Sequence, residues 1–151
     1  MKTAISILAL PALALIFSAT TAVQSAENAP PPPQKVVVHL SHFGDNLHAV
    51  NMALKIGTIV AGGDAEVVMF VDLEGVRLAD SRQPNDLKWG TSPAISELLA
   101  GFLEAGGSVL VCPHCAAAAG LAADDLRKGA KIAEASEIAD LFLSAQKVID
   151  Y

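Results

Sequence analysis

Short runs of branched apolar residues constrain this chain most: residues 36–40, Glu66–Val71 and Ser108–Val111. Each has the length and composition of a strand buried on both faces. Between them lie longer segments with helical spacing that end at Gly62-Gly63 and Gly106-Gly107, where glycine commonly closes a helix. Strands separated by helices imply right-handed crossovers and a parallel sheet. The first helix is expected from a cap at Asp45 to about Ala61, the second over about residues 94–105, a short third over about residues 116–122, and a fourth capped by Ser136. Further strands are expected near residues 130–133 and 147–149, with a short extension over residues 76–79 after a turn at Asp72-Leu73-Glu74-Gly75. Residues 80–92, rich in polar residues with Pro84 and Gly90, read as a surface loop or flap. The expected fold class is α/β: a three-layer α/β/α domain around a mostly parallel five-stranded sheet.

The remainder of the chain reads differently. Met1-Lys2, the apolar segment from Ala4 to Phe17 and the small residues up to Ala26 follow the plan of a secretory signal peptide, with candidate cleavage after Ala22, Ser25 or Ala26. Residues 1–26 are therefore assigned as a leader, 27–34 as a linker around Pro30-Pro31-Pro32-Pro33, and 35–151 as the folded domain. The expected location is periplasmic or otherwise exported, with no stable membrane insertion once the leader is removed. Without Lys2 the chain keeps 9 of its 10 basic and all 16 acidic residues, a formal charge near 9 minus 16, or −7. That balance, with no basic patch, excludes nucleic acid as a partner class.

Ligand chemistry in parallel sheets gathers beyond the carboxyl ends of the strands. Neither G-x-G-x-x-G nor G-x-x-x-x-G-K-[ST] occurs, so dinucleotide and P-loop sites lack their phosphate cradle. Instead, the third apolar run ends in Cys112-Pro113-His114-Cys115, which holds both cysteines. Pro113 suits a first helical position and the following alanines favour helix, which places Cys112 at an N-cap. Unpaired amides there, aided by a protonated His114, favour a thiolate, so Cys112 is expected to be more acidic than free cysteine.

The four histidines fall in two windows: His39, His42 and His48 around the first strand-to-helix loop, and His114 within the cysteine motif. Taken singly, His39 reads as a hydrogen-bonded core residue, Met52 as a gap-filler, and His42 and His48 as solvated side chains. Should the two loops adjoin, Cys112, His114, Cys115, His42, His48 and Met52 would make a soft N/S site for Cu(I) or Zn(II). No cofactor is required for the thiol chemistry itself.

The sequence order VVVHL, AEVVMFVDLEGVRLAD, ISELLAGFLEAGGSVLVCPHC with AGL, GAKIAEASEIADLF and KVIDY resembles the DsrE/DsrF-like family of small sulfur-relay proteins across residues 35–151. The resemblance implies a flavodoxin-like sheet, homo-oligomers (trimers or hexamers), and a loop cysteine that carries sulfur as a persulfide. The matching position is Cys112, and no family role passes to Cys115. Donors or acceptors would be partner proteins or small sulfur species. The motif C-P-H-C also resembles that of periplasmic thioredoxin-fold oxidants, although only those residues match.

Several readings follow. The first is an exported sulfur carrier, transferase-like if an enzyme at all, with Cys112 accepting sulfur, Cys115 resolving it and His114 tuning the thiolate. The others are a copper or zinc binding protein, a thiol-disulfide oxidoreductase, and an oligomeric module with inert, oxidised cysteines.

Overall fold

A computed structural model describes residues 32–151. The leader and the linker up to residue 31 lie outside the described residues. Strands β1 (Lys35–Leu40), β2 (Glu66–Val71), β3 (Ser108–Val111), β4 (Ala130–Ile132) and β5 (Lys147–Asp150) alternate with helices α1 (Leu47–Ala61), α2 (Ile95–Glu104), α3 (Pro113–Ala118) and α4 (Ala135–Ser144). The strands form one sheet in the order β4-β3-β2-β1-β5, and every pairing is parallel. The expected three-layer α/β/α, flavodoxin-like architecture is the one observed.

Strand order explains how the helices divide. From β1 to β4 the chain moves steadily across the sheet, and right-handed crossovers in one direction put α1, α2 and α3 on one face. The step from β4 back past β1 to β5 reverses direction and puts α4 on the other. Side-chain alternation records the result. On the first face Val36, Val38, Leu40, Val67, Met69, Val71, Val109 and Val111 join Leu54, Leu99 and Phe102 in the main core. On the second, Val37, Val68 and Phe70 pack with Leu141, and Ile138 and Ala145 lie against them. A lone helix covers little: Phe142 and Leu143 of α4 and Val148 of β5 remain exposed.

Two glycines mark close packing on the first face. A Cβ on Gly57 of α1 would lie 3.0 Å from the Phe102 ring, and one on Gly107 would lie 2.2 Å from it. The ring is fully buried, and truncating such a residue costs about 3–5 kcal/mol.

The structure revises four local expectations. Asn46, not Asp45, caps α1: its Oδ1 accepts from the Ala49 amide at 3.1 Å, whereas Asp45 accepts from the Phe43 amide at 2.8 Å. Residues 76–79 are no strand extension but part of a 3-10 helix, Leu73–Ala79. Three-residue turns bury Val76 and Ala79 together where the sequence suggested alternation. The third helix, with Pro113 at its first position as the proline implied, ends at Ala118 rather than near Ala122, before Gly120, whose φ is +65°. Finally, α4 is capped at Glu134, whose amide donates to Glu137 at 2.9 Å, and Ser136 falls inside the first turn.

The segment after the 3-10 helix is pinned down at both ends. Asp80 bridges Leu126, the Ser81 amide donates to the Asp125 carbonyl at 2.8 Å, and Arg127 donates to Asn85 and to the Gln83 carbonyl at 2.6 and 2.8 Å. Further on, Trp89 stacks on His48 of α1 and Lys55 donates to Ser92 at 3.3 Å.

Candidate functional site at the carboxyl edge of the sheet

Ser41, Asp72 and Cys112 each follow the last residue of a strand, β1, β2 and β3. The register pairs Leu40 with Val71 and Val71 with Val111, so these three polar residues stand side by side along the sheet edge. The Cys112 amide donates to the Val71 carbonyl at 2.9 Å, which fixes the loop at that edge. Cys112 is the N-cap of α3 with Pro113 immediately inside, as expected, and its side chain makes no capping hydrogen bond.

The two cysteines are free thiols and both are half-buried. They are close neighbours, yet they face different parts of the molecule. Cys112 continues the alternation of β3 and packs with the α4-side cluster around Phe70 and Leu141. Cys115, one helical turn later, packs against the main core on the opposite side. Burial pushes the Cys115 thiol up, against the downward effect of the Leu73 amide bonded to its sulfur; Cys112 and the Asp72 charge add to the rise.

Cys115 also opens on a cleft of about 320 Å³ lined by Leu73, Glu74, Arg77, His114, Ala118 and Ala119. Its other wall is thus the 3-10 helix. Leu73 adopts φ +43°, a left-handed conformation that is unfavourable for leucine and frequent at functional sites. Gly75 permits the approach of this wall to β1, because a Cβ there would meet the Leu40 carbonyl oxygen.

A second polar group was not legible as such in the sequence. His39 Nε2 lies 3.1 Å from Asp72 Oδ1, and Nδ1 lies 2.6 Å from Asp150 Oδ1. Ser41 Oγ donates to the same Asp72 oxygen at 2.7 Å, and the ring leans on Phe70 at 5.7 Å. His39 is therefore a hydrogen-bonded histidine that ties β5 to β2 across β1. The signal that would have found it is the parallel register, which sequence spacing alone does not supply.

The remaining candidates are engaged elsewhere. His42 bonds Asp45, and this bond is the main reason the Asp45 carboxyl lies below its ordinary range. His48 stacks on Trp89 at 4.0 Å between centroids, and Met52 is half-buried on α1. Among the described residues no three His, Cys, Asp or Glu side chains gather in a group suited to hold a metal. Also among them, no helix is long and apolar enough to cross a membrane.

Fold and site together define a small α/β domain that presents a thiol pair beyond the third strand of a parallel sheet. The DsrE/DsrF-like family model matches residues 34–151, and the chain belongs to that family. Membership supports a general role in sulfur handling. The chain is similar in structure to the ychN protein from E. coli, with a TM-score of 0.60 at 20% identity over 79% of this chain and 99% of that one. It is likewise similar to MTH1491 from Methanobacterium thermoautotrophicum, a protein of unknown function, with a TM-score of 0.59 at 12% identity over 78% and 99% of the two chains. At such identities the likeness concerns the fold. No curated protein matches the sequence.

Proposed function

We propose that this protein is an exported sulfur carrier that holds sulfane sulfur as a persulfide on Cys112, with Cys115 as the neighbouring thiol. The observation that carries this reading is the placement of Cys112 at a strand end and helix N-cap, beside a second free, half-buried thiol. Export rests on the leader-like composition of residues 1–26.

Incubating the reduced protein with inorganic polysulfide and measuring intact mass tests this. One sulfur atom per chain is expected, mapped to Cys112 and lost in Cys112→Ser. No addition, or addition indifferent to that substitution, overturns the reading.

The same thiol pair supports two alternatives that other assays separate. A thiol-disulfide oxidoreductase would reduce insulin at rates above those of free dithiol. A Cu(I) or Zn(II) protein would bind through Cys112 and Cys115, with His114 as a further donor. His42 and His48 already have partners, which leaves the set short of the four ligands that structural zinc takes. Anaerobic Cu(I) titration of wild type against the Cys112→Ser/Cys115→Ser variant decides that case.

Homo-oligomers belong to the same proposal, with the α4 face as the contact surface. Leu143 is 86% exposed and Phe142 and Val148 flank the same thinly covered side of the sheet, an apolar patch of the kind that marks an interface. Light scattering of Leu143→Glu is expected to show a smaller assembly than wild type; unchanged mass in a folded variant tells against this surface.

A further inference from the structure

The cleft beside Cys115 carries more information than the carrier role uses. Its two charged walls are of opposite sign: Arg77 and Glu74 sit three residues apart on the 3-10 helix and line the same space as the thiol. Arg77 is poorly satisfied. Its recorded contacts are long, 3.5 Å to the Ala119 carbonyl and 3.6 Å to Asp80, and Asp80 is already held by Arg82 at 2.8 and 3.1 Å. The guanidinium is therefore available for a ligand carboxylate, the planar group it pairs with best. Glu74 is exposed and has no ion pair among the described residues. A purely anionic sulfur species would meet its carboxylate and the field of Asp72, which also acts on Cys115. The volume, about 320 Å³, suits a small amino acid rather than a peptide.

We propose that this cleft admits a small zwitterionic persulfide, an amino-acid thiol bearing one extra sulfur, with Arg77 bonding its carboxylate, Glu74 its ammonium and Cys115 receiving its sulfane sulfur. This rests on the carrier reading above and names its substrate class. The Cys115 sulfur attacks the outer sulfur of the donor R–S–SH; the new bond is Cys115 S–S, the bond that breaks is the donor S–S bond, and the thiol proton goes to the departing amino-acid thiolate. R–S–SH and Cys115–SH thus become R–SH and Cys115–S–SH. Cys112 then attacks the outer sulfur of Cys115–S–SH, and Cys115 recovers its proton as Cys112 becomes the persulfide. Neither step is a net oxidation, and neither needs a further reactant.

The test compares initial loading rates of the reduced full chain by rapid quench and intact mass, with cysteine persulfide, N-acetylcysteine persulfide and inorganic polysulfide as donors. N-acetylation removes the ammonium and also makes the departing thiol less acidic and so a slower leaving group, so each rate is divided by that of the same donor with a free small-molecule thiol. Cysteine persulfide is expected to load about ten- to a hundredfold faster than its N-acetyl form, the size of a lost charge-assisted contact. In Arg77→Gln the ratio of the cysteine persulfide rate to the polysulfide rate is expected to fall about tenfold, with partial recovery in Arg77→Lys. In Cys115→Ser the advantage of cysteine persulfide is expected to disappear. Equal normalised rates for cysteine persulfide and its N-acetyl form in wild type overturn the proposal, even where polysulfide loads Cys112 and the carrier reading stands. That comparison needs no variant, so it decides the matter if Arg77→Gln does not fold. Failure of all donors to add sulfur overturns the carrier reading and this proposal together.

Discussion

Gly75→Ala is expected to lower stability by at least about 3 kcal/mol, at the severe end for a single substitution. Gly75 is buried where the 3-10 helix crosses the end of β1, and its amide donates to the Ser41 carbonyl at 3.1 Å. An added Cβ would lie 2.1 Å from the Leu40 carbonyl oxygen and 2.9 Å from its carbon. Both atoms are backbone, in a strand paired on both sides, so neither can swing away as a side chain would. Relief requires the 3-10 helix to lift, which uncovers Val76, Leu78 and Ala79 and carries Leu73, Glu74 and Arg77 away from Cys115. Urea unfolding midpoints measure the effect. Gly44→Ala is the control, since nothing lies within 4 Å of its added Cβ, and a shift within about 0.5 kcal/mol is expected there. Equal shifts for the two variants would show that the crossing is not tight.

The second large effect concerns Asp80, which is 1% exposed. Its carboxylate accepts from Arg82 Nε at 2.8 Å and Nη2 at 3.1 Å, from the Arg82 amide at 3.0 Å and from Gln83 at 3.3 Å. The Arg82 guanidinium holds the carboxyl down at about 2, against burial, which pushes it up. A depressed carboxylate contributes stability above its unfolded value of 3.8, and that contribution is lost as pH falls through about 2. The linkage amounts to about 2 kcal/mol at neutral pH. Asp80→Asn keeps the shape and removes the charge, so it is expected to cost about 2 kcal/mol near neutrality. The gap to wild type should close as unfolding is measured at successively lower pH; parallel curves would contradict the assignment. Asp80 also joins the 3-10 helix to the loop after α3, because Arg82 reaches the Gly120 carbonyl at 3.5 Å. Its loss should therefore loosen both walls of the cleft.

Why some of this was legible in the sequence and some was not follows from the range of the interactions involved. Glu66–Val71 and Ser108–Val111 could be read directly because continuous branched runs fit little except a buried parallel strand. The position of Cys112 was legible for a related reason: the strand end and the proline after it are both local signals. The residues 73–79 were misread because a short 3-10 helix and a short strand both fit a stretch such as Val-Arg-Leu-Ala, and only packing against β1 separates them. Arg77 and Glu74 went unrecognised for that reason. Asp45 and Asn46 are neighbouring good caps, and the choice fell to the residue whose amide acceptor reaches Ala49. The proposed convergence of His42, His48 and Met52 on the cysteines depended on side-chain partners that no spacing rule reveals. Asp45 and Trp89 supplied those partners instead.

Cys112 and Cys115 stand one turn apart at a corner where a strand becomes a helix, and the corner turns their side chains to opposite sides of the sheet. Under the proposed transfer, a cargo of one atom passed between them would change faces without hinge, lid or subunit rotation. The motion required is rotation about the side-chain bonds of the two cysteines. Two partners too large to occupy the same surface could then be served in succession, one from each side of the sheet.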